Sequence, residues 1–260
     1  MTQKHPNALP VLLMVLVLAS FELLFFFPRF YLQEFLFVLA ALVVGVWRVN
    51  SQPAFEKLRA LIFWNFLIPV IFFYGTAFFW TLFLPSKIYA HLMGLFTAFF
   101  VFIYFRYLKM YFRAPIFYDE KTLINLSLFF GIFSLFFIYS TLMSAVLLLN
   151  FPLVLASLIY ATVVLLVVYE YLWIVGVESI KSFIYGLVVA FAFLQFFWSL
   201  NFLPVDFFTL TFVMTIFFFV IIKIITFRFQ EDDFSFQRIR KYIIIGLLMI
   251  LLVFLTTRWR

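Results

Sequence analysis

The sequence predicts an all-α membrane protein, a polytopic bundle of about nine spans built from four helical hairpins and a final helix. Three features predict it. Of the 260 residues 68% are hydrophobic and 11% charged, against about half and about a quarter in soluble domains. Apolar runs of bilayer-crossing length follow one another along the whole chain. They are apolar on every face, whereas barrel strands alternate apolar and polar residues, so helices are expected.

The first run, Ala8 to Phe27, follows Lys4 and His5 and resembles a secretory signal. It is too long for one and no small-residue cleavage motif follows, so an uncleaved first span is expected. "FFFP" ends it at Pro28, and Leu32 to Trp47 returns. The third run, Ala60 to Phe83, carries Pro69 in its middle. Proline has no N–H, so the carbonyl of Asn65 loses its helical partner and a kink is expected there. Ile88 to Phe105 is the fourth run. The block "FRYLKMYFRAP" after it sets Arg106, Lys109 and Arg113 on one helical face among aromatics, a pattern that suits anionic headgroups or a docking partner. The remaining runs are Leu123 to Leu149, Pro152 to Val175, Ser179 to Leu200, Phe207 to Phe227 and Tyr242 to Thr257. The acid run Glu231 to Asp233 between the last two is expected to be a solvated loop.

Lys and Arg set the orientation, because cytoplasmic loops retain them. With the N-terminus inside, fourteen of the 18 fall on the cytoplasmic side, and only Arg29, Lys87, Arg258 and Arg260 lie outside. The C-terminal "RWR" is the misfit, since nine spans place it externally. The expected location is the cell membrane.

Two stretches rhyme: "FFWTLFLP" at Phe78 to Pro85 and "FFWSLNFLP" at Phe196 to Pro204. Proline after an aromatic or leucine closes all four expected outer turns, at Pro28, Pro85, Pro152 and Pro204. On the other side Glu56, Glu120, Glu178 and Gln237 open helices at intervals of about 60 residues, which is two spans. Duplicated architecture accounts for the rhyme, with Trp80 and Trp198 in an aromatic belt. A doubled aromatic ligand pocket is the sharper alternative.

Composition narrows the chemistry. There is no cysteine, and His5 and His91 are the two histidines. Thiolate metal sites are thereby excluded, two histidines leave little for a haem or a multi-histidine zinc site within one chain, and no cofactor or metal is expected. The net charge of +7 is spread between spans rather than gathered into a stripe, so nucleic acid is not an expected partner. Expected partners are the bilayer, with anionic headgroups on the cytoplasmic side, and other membrane proteins. The aspartate-rich loops of nine-helix membrane prenyltransferases and the Gly-x-Ser-Gly of rhomboid proteases are both missing.

Ionisable residues inside spans point to function because burying charge in lipid is costly. Glu170 and Lys223 sit at similar depth in the sixth and eighth spans and could form an ion pair, or each could reach for the interface. Glu22 and Glu34 flank Pro28 at six residues on either side, with Arg29 at the turn. His91 and Asp206 follow Pro85 and Pro204 and would join them at the same outer level if the hairpins pack around one centre, so these four are the candidate acid and base groups. The alternative has the carboxylates pointing apart toward Arg29 or Lys87. The mid-bilayer wall is apolar, so the leading expectation is a non-enzymatic component that binds, moves or scaffolds an apolar or lipid-like partner. An enzyme acting on a lipid-linked substrate at the outer face is the second reading, and a polar-solute transporter the third.

The orientation is open to direct test in a chain without cysteine. Ser235→Cys should resist an impermeant thiol reagent in intact cells and react after permeabilisation; labelling in intact cells would overturn the orientation.

Overall fold

Because lipid offers the backbone no hydrogen-bond partners, each apolar run must satisfy its own amides and carbonyls, and it does so as a helix. The computed structural model describes residues 8–50, 59–113, 120–230 and 236–257, and these are all-helical, with no strand. The helices are α1 (Ala8–Phe26), α2 (Tyr31–Asn50), α3 (Arg59–Thr81), α4 (Lys87–Arg113), α5 (Glu120–Leu149), α6 (Leu153–Ile174), α7 (Ser179–Leu200), α8 (Phe207–Gln230) and α9 (Phe236–Thr256). A single 3-10 turn, Pro28–Phe30, joins α1 to α2. Among the described residues eight helices are long and apolar enough to cross a membrane, and Phe66–Thr81 of α3 is a shorter apolar segment.

The helices outrun several of the predicted spans. α4 continues past Phe105 to Arg113, 27 residues in all, or about 40 Å against a hydrocarbon core of about 30 Å. Hydropathy marks where lipid ends, but the helical ladder runs on until something stops it, and the next proline is Pro115. The acid run 231–233, Ser235 and the terminal Arg258 to Arg260 lie outside the described residues, as do the side chains of Asn65 and Arg113.

The chain divides into two units, Met1–Phe130 and Gly131–Arg260, with the division inside α5. In the first, α1 packs most extensively on α4, and α2 on α3. Buried Phe21 of α1 meets Tyr74 and Phe78 near the end of α3. A Cβ on Gly45, late in α2, would touch Leu13, early in α1, and Phe105, late in α4. These contacts make α1 and α3 run one way and α2 and α4 the other, which brings the Pro28 and Pro85 turns to the same end. Aromatic rings fill the interior: Phe73 stacks on Phe130 at 4.3 Å and Phe130 on Tyr104 at 5.0 Å. α3 runs through the buried Pro69. One residue after Asn65, the carbonyl of Phe66 accepts a 2.7 Å hydrogen bond from the Tyr104 hydroxyl.

In the second unit α6 and α7 form the closest pair and α8 and α9 the next. α6 ends where Gly176 takes φ +96°, while the amide of Val177 donates to the carbonyl of Leu172 at 3.0 Å. That reversal needs a residue without Cβ. The α6–α7 seam follows a stripe of small residues, Ser182, Gly186 and Ala190, spaced by four and all buried. A Cβ on Gly186 would stand 3.2 Å from the backbone oxygen of Leu165. The lack of Gly-x-x-x-Gly leads one to expect packing through Phe, Leu and Ile alone. Ser and Ala, however, serve the same close approach as glycine.

The two rhyming stretches each close a helix, α3 and α7. Counted back from proline, the seventh and fourth residues are buried in both: Phe78 and Thr81 before Pro85, Phe197 and Leu200 before Pro204. Counted by their shared "FFW" letters the burial is one residue out of step, because Asn201 is an extra residue in the second copy. The proline, not the tryptophan, sets which face is covered.

Gly186→Leu should therefore destabilise the protein by about 1–3 kcal/mol, since backbone rather than a flexible side chain blocks the new atoms. Gly75→Ala is the control, because its Cβ would meet Phe35 at an ordinary 3.5 Å. Thermal unfolding in detergent measures both, and an equal effect at the two positions would refute the close crossing.

Candidate functional site

The candidate acid and base groups divide between the two units. Glu22 stands four residues before the end of α1 and His91 four residues into α4, each about 6 Å inside its helix end. Since α1 and α4 are antiparallel and tightly packed, the two side chains meet: His91 Nδ1 lies 2.8 Å from Glu22 Oε1. Nδ1 of the imidazole thus faces the carboxylate, which orients the ring and leaves Nε2 as the nitrogen pointing away from Glu22. Phe25 lies against the imidazole with ring centroids 4.8 Å apart. Both side chains are about two-fifths exposed, 41% for His91 and 39% for Glu22, so the pair is reachable from outside the bundle.

Behind this pair the same end of the first unit holds two further polar features. Fully buried Tyr74 of α3 donates its hydroxyl to Ser20 Oγ of α1 at 3.1 Å, and Ser20 Oγ donates in turn to the carbonyl of Val17 at 2.7 Å. Glu34 lies in the first turn of α2, where its Oε2 is buried without a hydrogen-bond partner among the described residues. Its neighbour Phe35 stacks on Tyr74 at 5.8 Å with the rings 8° apart. Arg29 lies in the exposed 3-10 turn. Among the described residues no three metal-ligating side chains converge. The arrangement offers an oriented imidazole with a carboxylate beside it.

Asp206 belongs to the second unit and caps α8. Its Oδ1 accepts from the amide of Phe208 and its Oδ2 from the hydroxyl of Thr209, each at 2.7 Å. That is a helix N-cap satisfying an amide that lacks an intrahelical partner. Thr209 Oγ1 is also 2.8 Å from Thr257 Oγ1, just beyond α9. Glu170, four residues before the end of α6, is 1% exposed. Lys223 of α8 places its Nζ 5.9 Å from the centroid of the Phe219 ring. In α4, Arg106 is exposed and Lys109 half-buried.

Two features escape a reading of the sequence. Tyr139 and Tyr160 are fully buried, edge to face at 5.4 Å, and neither hydroxyl has a protein hydrogen-bond partner among the described residues. Tyr74 and Ser20 form the other. A serine interrupting the run "VLVLASFELLFF" two residues before Glu22 was the available signal for the latter pair.

No protein-family model, curated protein or solved structure matches the chain.

A double-mutant cycle of Glu22→Gln and His91→Gln, read by unfolding in detergent, should give a coupling of about 0.2–1 kcal/mol, the range of polar pairs open to solvent. Strict additivity would mean that the two side chains do not interact.

Proposed function

We propose that this integral membrane protein is a non-enzymatic component that binds, moves or scaffolds an apolar or lipid-like partner. One observation carries the proposal. Among the described residues, the buried polar groups are Ser, Thr and Tyr hydroxyls, and Glu170 is the one acidic or basic side chain that is buried. An interior of Phe, Tyr, Leu and Val with scattered hydroxyls offers a charged solute little to replace its water, whereas an acyl or isoprenoid chain gives up none.

In this reading the chain lies in the cell membrane with its N-terminus cytoplasmic. Arg106, Lys109 and Arg113 then meet anionic headgroups, each contributing about 1 kcal/mol. The charge distribution along the sequence supports this placement.

A second reading has its own support. The 2.8 Å contact of His91 with Glu22 is the arrangement that orients an imidazole for proton transfer, and both groups are half-exposed near a helix end. An enzyme acting on a lipid-linked substrate at the outer face would use such a pair as its base.

Mass spectrometry of lipids and proteins retained after mild solubilisation separates the two. A selected lipid class or a stoichiometric membrane partner, unchanged in Glu22→Gln and His91→Phe, is the result expected for the first reading. Accumulation of a lipid-linked species in those variants alone would transfer the proposal to the second. Retention of bulk lipids in bulk proportion, with no partner protein, would overturn the first.

A further inference from the structure

Exposed hydroxyls on the described spans satisfy themselves. Thr162 donates to the carbonyl of Leu158, Ser199 to that of Gln195 and Thr256 to that of Leu252, each at 2.8 to 3.0 Å. A glutamine side chain is too long to bond back in this way. The amide of Gln195, exposed on α7 five residues before its end, makes no hydrogen bond among the described residues. It lies about 7 Å inside the helix end, within the apolar span. There it presents two N–H donors and a carbonyl toward a solvent that cannot meet them.

Its neighbours on that face repeat by heptad. Ile184, Val188, Phe191, Gln195 and Trp198 are spaced 4, 3, 4 and 3, the spacing of a coiled-coil seam. The four around Gln195 are 53%, 63%, 62% and 37% exposed, so the seam is uncovered along its length. One polar residue in an apolar heptad seam is the device by which helices in lipid fix register and partner.

We propose that this seam of α7 is a homodimer interface, occupied by the same seam of a second copy. Two copies inserted the same way are related by an axis along the membrane normal, which sets the two helices parallel and each residue opposite its counterpart. Glutamine is self-complementary in that setting. Each carbonyl accepts from the other amide, so two hydrogen bonds close across the axis. A lipid chain would cover the apolar seam residues equally well but would leave both amides unmet.

The absence of cysteine makes the test direct. In native membranes, Val188→Cys and Phe191→Cys should give disulfide-linked dimers on mild oxidation, while Phe183→Cys, exposed on α7 but off the seam, and Leu248→Cys, on exposed α9, should give few. Adding Gln195→Leu to Phe191→Cys should lower the cross-linked fraction about three- to tenfold, as expected for losing one interhelical polar contact. Gln195→Asn should restore part of it. All positions are exposed, so the variants should keep the wild-type elution profile. Cross-linking equal on and off the seam, linkage of the seam to a different protein, or an undiminished signal in Gln195→Leu would overturn the proposal.

Discussion

Hydrocarbon cannot hydrogen-bond, and that constraint governs this molecule from backbone to side chain. It forces every spanning segment into helix, and it then claims the polar side chains those helices carry. Thr76, Thr81, Thr211, Thr215 and Thr226 each donate to the carbonyl four residues earlier at 2.6 to 2.8 Å. A hydroxyl whose proton is spent inside its own helix is left only its acceptor side for a neighbouring helix, as where Thr211 accepts from Ser140 of α5 at 3.2 Å. Association therefore falls to close packing, to aromatic rings and to a short set of polar ties.

Those ties are few, and several lie toward helix ends. Glu22 with His91, and Asp206 with Thr209 and Thr257, all lie within a few residues of a turn. Tyr74 reaches Ser20 from somewhat deeper. Near the interface a polar group that opens can find water, so a charged pair costs less there than at the midplane. The largely apolar interior between such rims is what supports the reading of an apolar partner.

Much of the architecture was legible because lipid imposes one rule on every run. Ser179 to Leu200 is both the predicted seventh span and α7, and the prolines mark turns where expected. What escaped depends on which helices meet. Glu22 and Glu34 are symmetric about Pro28 in one dimension, yet Glu22 bonds His91, because α1 lies along α4 more fully than along α2. Asp206, two residues after Pro204, invited an acid–base role, and nothing in "LPVDFFTL" told that Asp206 would bond the amide of Phe208 and the hydroxyl of Thr209 except its place just ahead of an apolar run. The Ser182, Gly186 and Ala190 stripe is written in the sequence at spacing four, but with one glycine in it the stripe carries no Gly-x-x-x-Gly signature.

The contact between Thr257 and the Asp206–Thr209 cap bears on how α9 is held. α9 is the least covered of the described spans, with 11% of its apolar window buried, and its last turn is tied to the first turn of α8. The cap of α8 itself uses only the amide of Phe208 and the hydroxyl of Thr209, neither of which belongs to α9. If α9 swings away, Asp206 keeps both bonds and α8 stays capped, so the last helix can leave and return without unravelling the one it leans on.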